Sequence, residues 1–351
     1  MKNFKWIKLF VFVFIVLSIM TGTSAEAATK AKSTTPAKPI PISKIFYFKD
    51  NPDARASLFA HPTSIDILAP QTYSIDNTGL LVGAIDPAIL TFAQTNNIKV
   101  MPLVTNKGFS KSTANSILDD TAKQDLAINA LITEAQQQKY YGWQFDFEGM
   151  DATYRDKYSA FVARTYTAMK QHNLILSVAV IAQISSNPAD YPRDLWNRII
   201  GVYDYGALGM SADFISIMSY DNPDSKGAIS PYPWLVKIVK YSLKYIPPNK
   251  ISLGIPLYYW LWNDTSGKLI SVGGYVGVTN TIKNKHATAG YSATDKTSYL
   301  KYKYNKNKFT LWYENAKSVT PKISLIRQYK LQGFSAWVLG LETPSVYSVL
   351  K

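Results

Sequence analysis

Residues 140–150 read YYGWQFDFEGM, and between Gly142 and Gly149 the side chains alternate in character. Trp143, Phe145 and Phe147 share one parity; Gln144, Asp146 and Glu148 share the other. A period of two marks a β-strand, here with an acidic face. Taken alone, such a strand also fits a half-exposed antiparallel sheet with its polar side in water. Its neighbours argue for something else. Periodic helices are predicted over residues 121–138 before it and 153–171 after it, an order that implies parallel strands joined by helical crossovers. In a closed barrel of that kind the aromatic parity packs beneath the helices, and Gln144, Asp146 and Glu148 point into the interior. Buried polar groups are costly unless paired or used, so these three become candidate site residues.

Working outward, strands are predicted at residues 45–48, 64–73, 99–104, 142–148, 174–181, 213–220, 251–258 and 333–339. Helices fall between most of them, at 87–95, 121–138, 153–171, 191–202, 233–245 and 316–331, with a closing helix at 344–350. Eight strands with interleaved helices over about 310 residues suit a (β/α)8 barrel, a TIM barrel, carrying an insertion. A doubly wound open sheet is the alternative, but the chain shows no Gly-rich phosphate loop to support it. The insertion is placed at residues 263–308, between the seventh and eighth strands, and is rich in Gly, Tyr, Lys and Thr. It leads into YLKYKYNKNKFTLWY (299–313), a hairpin turning at Asn305-Lys306-Asn307, so a small α+β lobe is expected. Its lysines and tyrosines fit nucleic acid or glycan; a solvated hairpin that only walls a cleft is the favoured reading.

The ends add a destination. Lys2, Lys5 and Lys8, an apolar run over residues 9–20 and Ala25-Glu26-Ala27 form a secretory signal, with cleavage expected after Ala27. The apolar run is short for a membrane span. Residues 28–43 form a Lys/Thr/Pro/Ala linker with too little apolar content to fold, and the folded domain is expected over 44–351. Losing three lysines and one glutamate with the signal takes the net charge from +14 to +12. A basic exported protein is drawn to anionic polymers, including those of a cell wall. With no cysteine in the chain, disulfides, thiol catalysis and cysteine-ligated metal are excluded by count. His61, His172 and His286 stand far apart in no metal-binding spacing, which argues against a histidine triad and leaves each a structural residue.

Three motifs then become legible together. GWQFDFEG (142–149), IMSYD (217–221) and AWVLGLE (336–342) resemble signature strands of glycoside hydrolase family 18, which includes chitinases, endo-N-acetylglucosaminidases and bacterial spore-cortex and wall-lytic hydrolases. GIPLYYW (254–260) and LWYENAKS (311–318) resemble the spore-cortex and wall branch most. The family motif on the fourth strand runs Asp-Gly-x-Asp-x-Asp-x-Glu, and here it reads Tyr141-Gly142-Trp143-Gln144-Phe145-Asp146-Phe147-Glu148. The resemblance implies Glu148 as general acid and Asp146 as its partner. Tyr141 and Gln144 replace the first two Asp residues. Tyr141 has the wrong parity for the interior, whereas Gln144 replaces a charge beneath Asp146; the wall branch often carries an amide there. Residues two apart on a strand lie about 6 to 7 Å apart on one face, so two carboxyls there can share a proton. A raised pKa would keep Glu148 protonated near neutral pH.

By the same resemblance the nucleophile is the 2-acetamido oxygen of the substrate sugar, which Asp146 would orient. Tyr220 matches the tyrosine that holds the acetamido carbonyl, with Met218 and Asp221 in its motif, and Trp337 matches the floor beneath the sugar. Tyr73, Tyr258 and Trp260 are further cleft candidates. No metal or organic cofactor is implied, and nothing marks an oligomer, so a monomer is expected. The leading expectation is a secreted, retaining N-acetylhexosaminidase acting on polysaccharide with N-acetylated amino sugars. A carbohydrate-binding protein that has lost hydrolysis is the alternative, supported by Gln144 and Tyr141. Nucleic-acid binding rests only on charge and the Lys/Tyr hairpin and is set aside.

Overall fold

The computed structural model describes residues 41–350, so the signal and nearly all of the linker lie outside the described residues. Its strands, in chain order, are β1 (Ser43–Phe48), β2 (Ile67–Ile75), β3 (Leu103–Asn106), β4 (Gly142–Asp146), β5 (Ile175–Ile181), β6 (Phe214–Met218) and β7 (Ile251–Pro256), then β8 (Tyr259–Asn263), β9 (Lys268–Gly273), β10 (Thr288–Ser292), β11 (Thr297–Tyr304), β12 (Asn307–Tyr313) and β13 (Gly333–Trp337). The first seven and β13 pair in parallel round a closed ring, with β1 bonded both to β2 and to β13. This is the expected eight-stranded (β/α)8 barrel. Runs such as ILSVAVI and FISIM are apolar but for one serine each because each strand is covered on both faces.

The α-helices are α1 (Pro52–Ala60), α2 (Pro87–Thr95), α3 (Lys111–Leu118), α4 (Thr121–Gln138), α5 (Arg155–Gln171), α6 (Tyr205–Met210), α7 (Tyr232–Ser242), α8 (Tyr275–Lys285) and α9 (Ala316–Gln328), and two-residue strands lie at Leu81–Val82 and Lys99–Val100. Among them α4 begins at an Asp120 cap that accepts from the amides of Ala122 and Lys123, and it ends with Lys139 in the left-handed region. These two boundaries set the start of β4.

Several expectations are corrected. The third strand is broken at Met101-Pro102: Lys99–Val100 pairs with β2, and pairing resumes at Leu103, because Pro102 has no N–H to give the ladder. The helix expected at 191–202 is a 3-10 turn (Pro192–Asp194) followed by a π-turn (Trp196–Ile200), since Arg193 and Asp194 take positive φ and interrupt any α-helix. The closing segment, Pro344–Val349, is 3-10 rather than α. The first strand begins at Ser43. Tyr141 does not turn away from the interior. It packs against the inward cluster of Ile45, Ile67, Met101 and Leu103, at the N-terminal ends of the strands and so away from the acidic end of β4. Gly142 separates it from the alternating run.

The insertion is wider than residues 263–308. Strands β8 to β12 form an antiparallel five-stranded sheet in the order β9-β8-β12-β11-β10, so the lobe starts at Tyr259, two residues past the barrel strand, and runs to Tyr313. Asn305 and Lys306 both have positive φ, the requirement of a two-residue type I′ hairpin turn. The lobe has its own core of Val278, Leu300 and Leu311. It is tied to the barrel by Trp262, whose Nε1 donates to the Gly227 carbonyl at 3.0 Å, and by a fully buried ion pair between Glu314 and Lys322 of α9 at 2.9 Å.

Candidate active site

The outward parity of β4 anchors it. Trp143 Nε1 donates to the Leu131 carbonyl of α4 at 2.9 Å, and Phe145 stacks on Phe161 of α5 with centroids 5.4 Å apart. The inward parity is thereby aimed at the barrel axis. Gln144 is fully buried and donates from Nε2 to Ser177 Oγ at 2.7 Å. Asp146 lies above it and is 3% exposed. Glu148 follows the strand end, clamped both ways by Asn106: its amide donates to Asn106 Oδ1 at 2.9 Å, and Asn106 Nδ2 donates to its carbonyl at 3.0 Å. Below these groups, Tyr47, Ser216, Ser335 and Ser252 join in a chain of hydroxyl hydrogen bonds of 2.6–2.7 Å.

Two adjoining cavities meet at Glu148. One, of about 620 Å³, contains Asp146, Tyr47, Lys49, Gln71, Phe109 and Trp337 among its walls. The other, of about 770 Å³, is walled mainly by apolar groups, including Ile181, Ile184, Tyr191, Leu195 and Trp234, with Asp190 and Asp224. Glu148, Met218, Tyr220 and Asp221 border both. The first is the Asp146 chamber, the second the apolar chamber.

The carboxyls here hold their protons tightly. Burial pushes Asp146 up to about 8, and the charge of Glu148 adds to the effect; a hydrogen bond from Gln71 and the charge of Lys49 oppose it. Asp146 Oδ1 has no partner at all. Burial likewise raises Glu148, helped by the charge of Asp221. Asp221 is raised by burial against a 2.5 Å hydrogen bond from Tyr258. Asp146 and Glu148 titrate together, and a pair so placed can present a proton near neutral pH to a group lying between the chambers.

The structure brings Asp146, Glu148, Met218, Tyr220, Asp221 and Trp337 to the cavities. It keeps four candidates off the walls. Gln144 lies under Asp146, out of reach of a ligand. Tyr258 acts from behind, through its bond to Asp221, and Trp260 packs with Tyr258, Trp262 and Ile229 behind Tyr220 and Trp337. Tyr73 faces outward: its hydroxyl donates to Glu134 at 2.7 Å, and its ring packs edge-on to Trp143. The cause is a register shift in β2 between Gln71 and Tyr73, which exchanges inside for outside, so Gln71 takes the wall position. Sequence reading missed Tyr47, Lys49, Gln71 and Phe109. The serines beneath the site had a signal, since Ser177, Ser216, Ser252 and Ser335 each stand as a small polar residue in an apolar strand.

The model of Glycosyl hydrolases family 18 matches residues 71–342. The chain belongs to that family. This family 18 hydrolase is 26% identical to the "Uncharacterized glycosylase YvbX" of Bacillus subtilis (strain 168), over 99% of this chain and 98% of that protein. It is 24% identical to the Cortical fragment-lytic enzyme of the same organism, over 80% of this chain and 66% of that enzyme. Among solved structures, the Bacillus cereus spore cortex-lytic enzyme SleL superposes with a TM-score of 0.80 at 23% identity, covering 89% of this chain and 74% of that one. A chitinase from Chromobacterium violaceum ATCC 12472 superposes at 0.78 and 26%, covering 88% and 98%. The protein is thus a glycoside hydrolase of family 18.

Proposed function

We propose that the protein is an exported, retaining hydrolase that cleaves N-acetylglucosamine-containing glycan, such as peptidoglycan, spore cortex or chitin, with the help of the substrate's own acetamido group. The observation that carries this reading is Glu148 at the meeting of two chambers, with Asp146 and Trp337 on one side only. The sugar to be attacked would lie on Trp337 in the Asp146 chamber, and the leaving sugar would extend into the apolar chamber. Glu148, protonated, donates to the glycosidic oxygen. The acetamido oxygen closes on the anomeric carbon from the other side, while Asp146 holds the acetamido N–H and the Tyr220 hydroxyl its carbonyl. Water activated by Glu148 then opens the cyclic intermediate, returning the original configuration. The similarity to a Cortical fragment-lytic enzyme and the basic charge favour a wall glycan, and the sequence of residues 1–27 favours export.

Products from peptidoglycan, spore-cortex glycan and chitin oligosaccharides, compared by mass spectrometry, test the reading. The reducing-end sugar names the bond. Glu148→Gln is expected to lower turnover by at least about a thousandfold while glycan affinity survives. Undiminished turnover in that variant rules the assignment out.

A further inference from the structure

The two chambers are lined by five carboxylates, Asp146, Glu148, Asp190, Asp221 and Asp224, and, among the described residues, by one cation, Lys49. Lys49 follows β1 directly, where the strand's end reaches the mouth of the barrel beside β13. Its ammonium lies 5.0 Å from the centre of the Trp337 ring. No carboxylate among the described residues comes within ion-pairing distance of it. An exposed lysine resting on an aromatic ring is weakly held. Trp337 is also the surface on which the proposed function seats a sugar. A neutral sugar must displace the ammonium and give it nothing in return. A sugar carrying a carboxylate displaces it from the ring and then receives it in a charge-assisted bond, which is the stronger of the two contacts.

We propose that Lys49 is the specificity-determining residue of the Asp146 chamber, by which the enzyme takes carboxylate-bearing amino-sugar glycan in preference to neutral glycan. This inference rests on the functional reading above. The apolar chamber has carboxylates and no lining cation, so the preference is for charge on the Asp146 side of the scissile bond. Discrimination is electrostatic at an exposed group, and added salt weakens it.

The test toggles charge on the muramic acid sugars alone. Calorimetric binding is measured in the full protein carrying Glu148→Gln, which prevents consumption of the ligand. The probes are a peptide-free wall tetrasaccharide of alternating N-acetylglucosamine and N-acetylmuramic acid, its carboxyl methyl ester, and the N-acetylglucosamine tetramer. With Lys49 present, the free acid is expected to bind about tenfold more tightly than its ester, and molar salt should erase most of that ratio. Lys49→Met should bring acid and ester to equal affinity, with the neutral tetramer bound as well as before or better. Lys49→Arg should keep the preference. Equal affinities for acid and ester with Lys49 in place overturn the proposal, as does a loss in Lys49→Met that is the same for both. Hydrolysis of the neutral tetramer by the protein with Glu148 intact separates the two readings: if it persists while discrimination is absent, only the role of Lys49 falls. If no glycan is bound or cleaved, the functional reading falls and this inference with it.

Discussion

Asp146 is a buried carboxyl with one oxygen unpartnered, and its protonation couples to stability in a definite direction. Its folded pKa, pushed up to about 8, lies above the ordinary value of 3.8. Between those limits the unfolded chain gives up a proton that the folded one keeps. The stability this group contributes is therefore complete below the ordinary value and is lost as pH rises through about 8. Asp146→Asn cannot ionise. Its melting temperature should match that of the parent near pH 4, pull ahead through the neutral range, and keep a constant lead above the folded value, as read by scanning calorimetry. A lead that shrinks with rising pH would contradict the assigned burial. The residues legible in the sequence were those whose chemistry is written into a strand's alternation or just past its end: Asp146 in β4 with Glu148 beyond it, and Met218 ending β6 with Tyr220 and Asp221 beyond it. Lys49 and Gln71 were not. A lone lysine after a strand carries no pattern, and Gln71 became a wall residue only through a bulge that leaves no mark in composition.

Among the elements, β4 leaves little room for change at its first residue. A Cβ added at Gly142 would lie 1.9 Å from the Ile175 carbonyl oxygen, inside the ladder that joins β4 to β5. Gly142→Ala should cost about 3 kcal/mol in urea denaturation, and turnover should fall with it, because both acidic residues depend on this strand's placement. Strand and helix order were readable because most barrel elements keep one period from end to end, the bulged β2 and the interrupted segment at 191–202 being exceptions. Helix α4 was located to the residue and α2 likewise. Helices α1 and α3 were missed. Each is short, with apolar residues too few to mark a face, although Asn51 with Pro52 and Ser110 supply the caps that announce them. The lobe was recognised by its hairpin alone. Strands β9 and β10 bury none of their side chains fully, so no alternation of burial shapes their sequence.

Over the whole molecule, barrel and lobe are joined where a charge is most expensive to strand. Glu314 and Lys322 are fully buried and answer each other across the end of β12 and helix α9. Lys322→Met leaves a buried carboxylate without its partner, and chemical denaturation should show a loss of about 3–5 kcal/mol. Adding Glu314→Leu should restore most of it, since an apolar pair of similar volume fills the same space. A double variant as unstable as the single one would mean that the pair does more than neutralise itself. The ring of strands has a seam of its own, β1 against β13, which joins the beginning of the domain to residues 333–337. The barrel therefore stays open until residues 333–337 take their place, and Trp337 comes with the strand that shuts it. A chain clipped ahead of Gly333 already has Asp146 and Glu148 but lacks the Trp337 wall of their chamber. Closing the ring and completing the wall of the Asp146 chamber are one event.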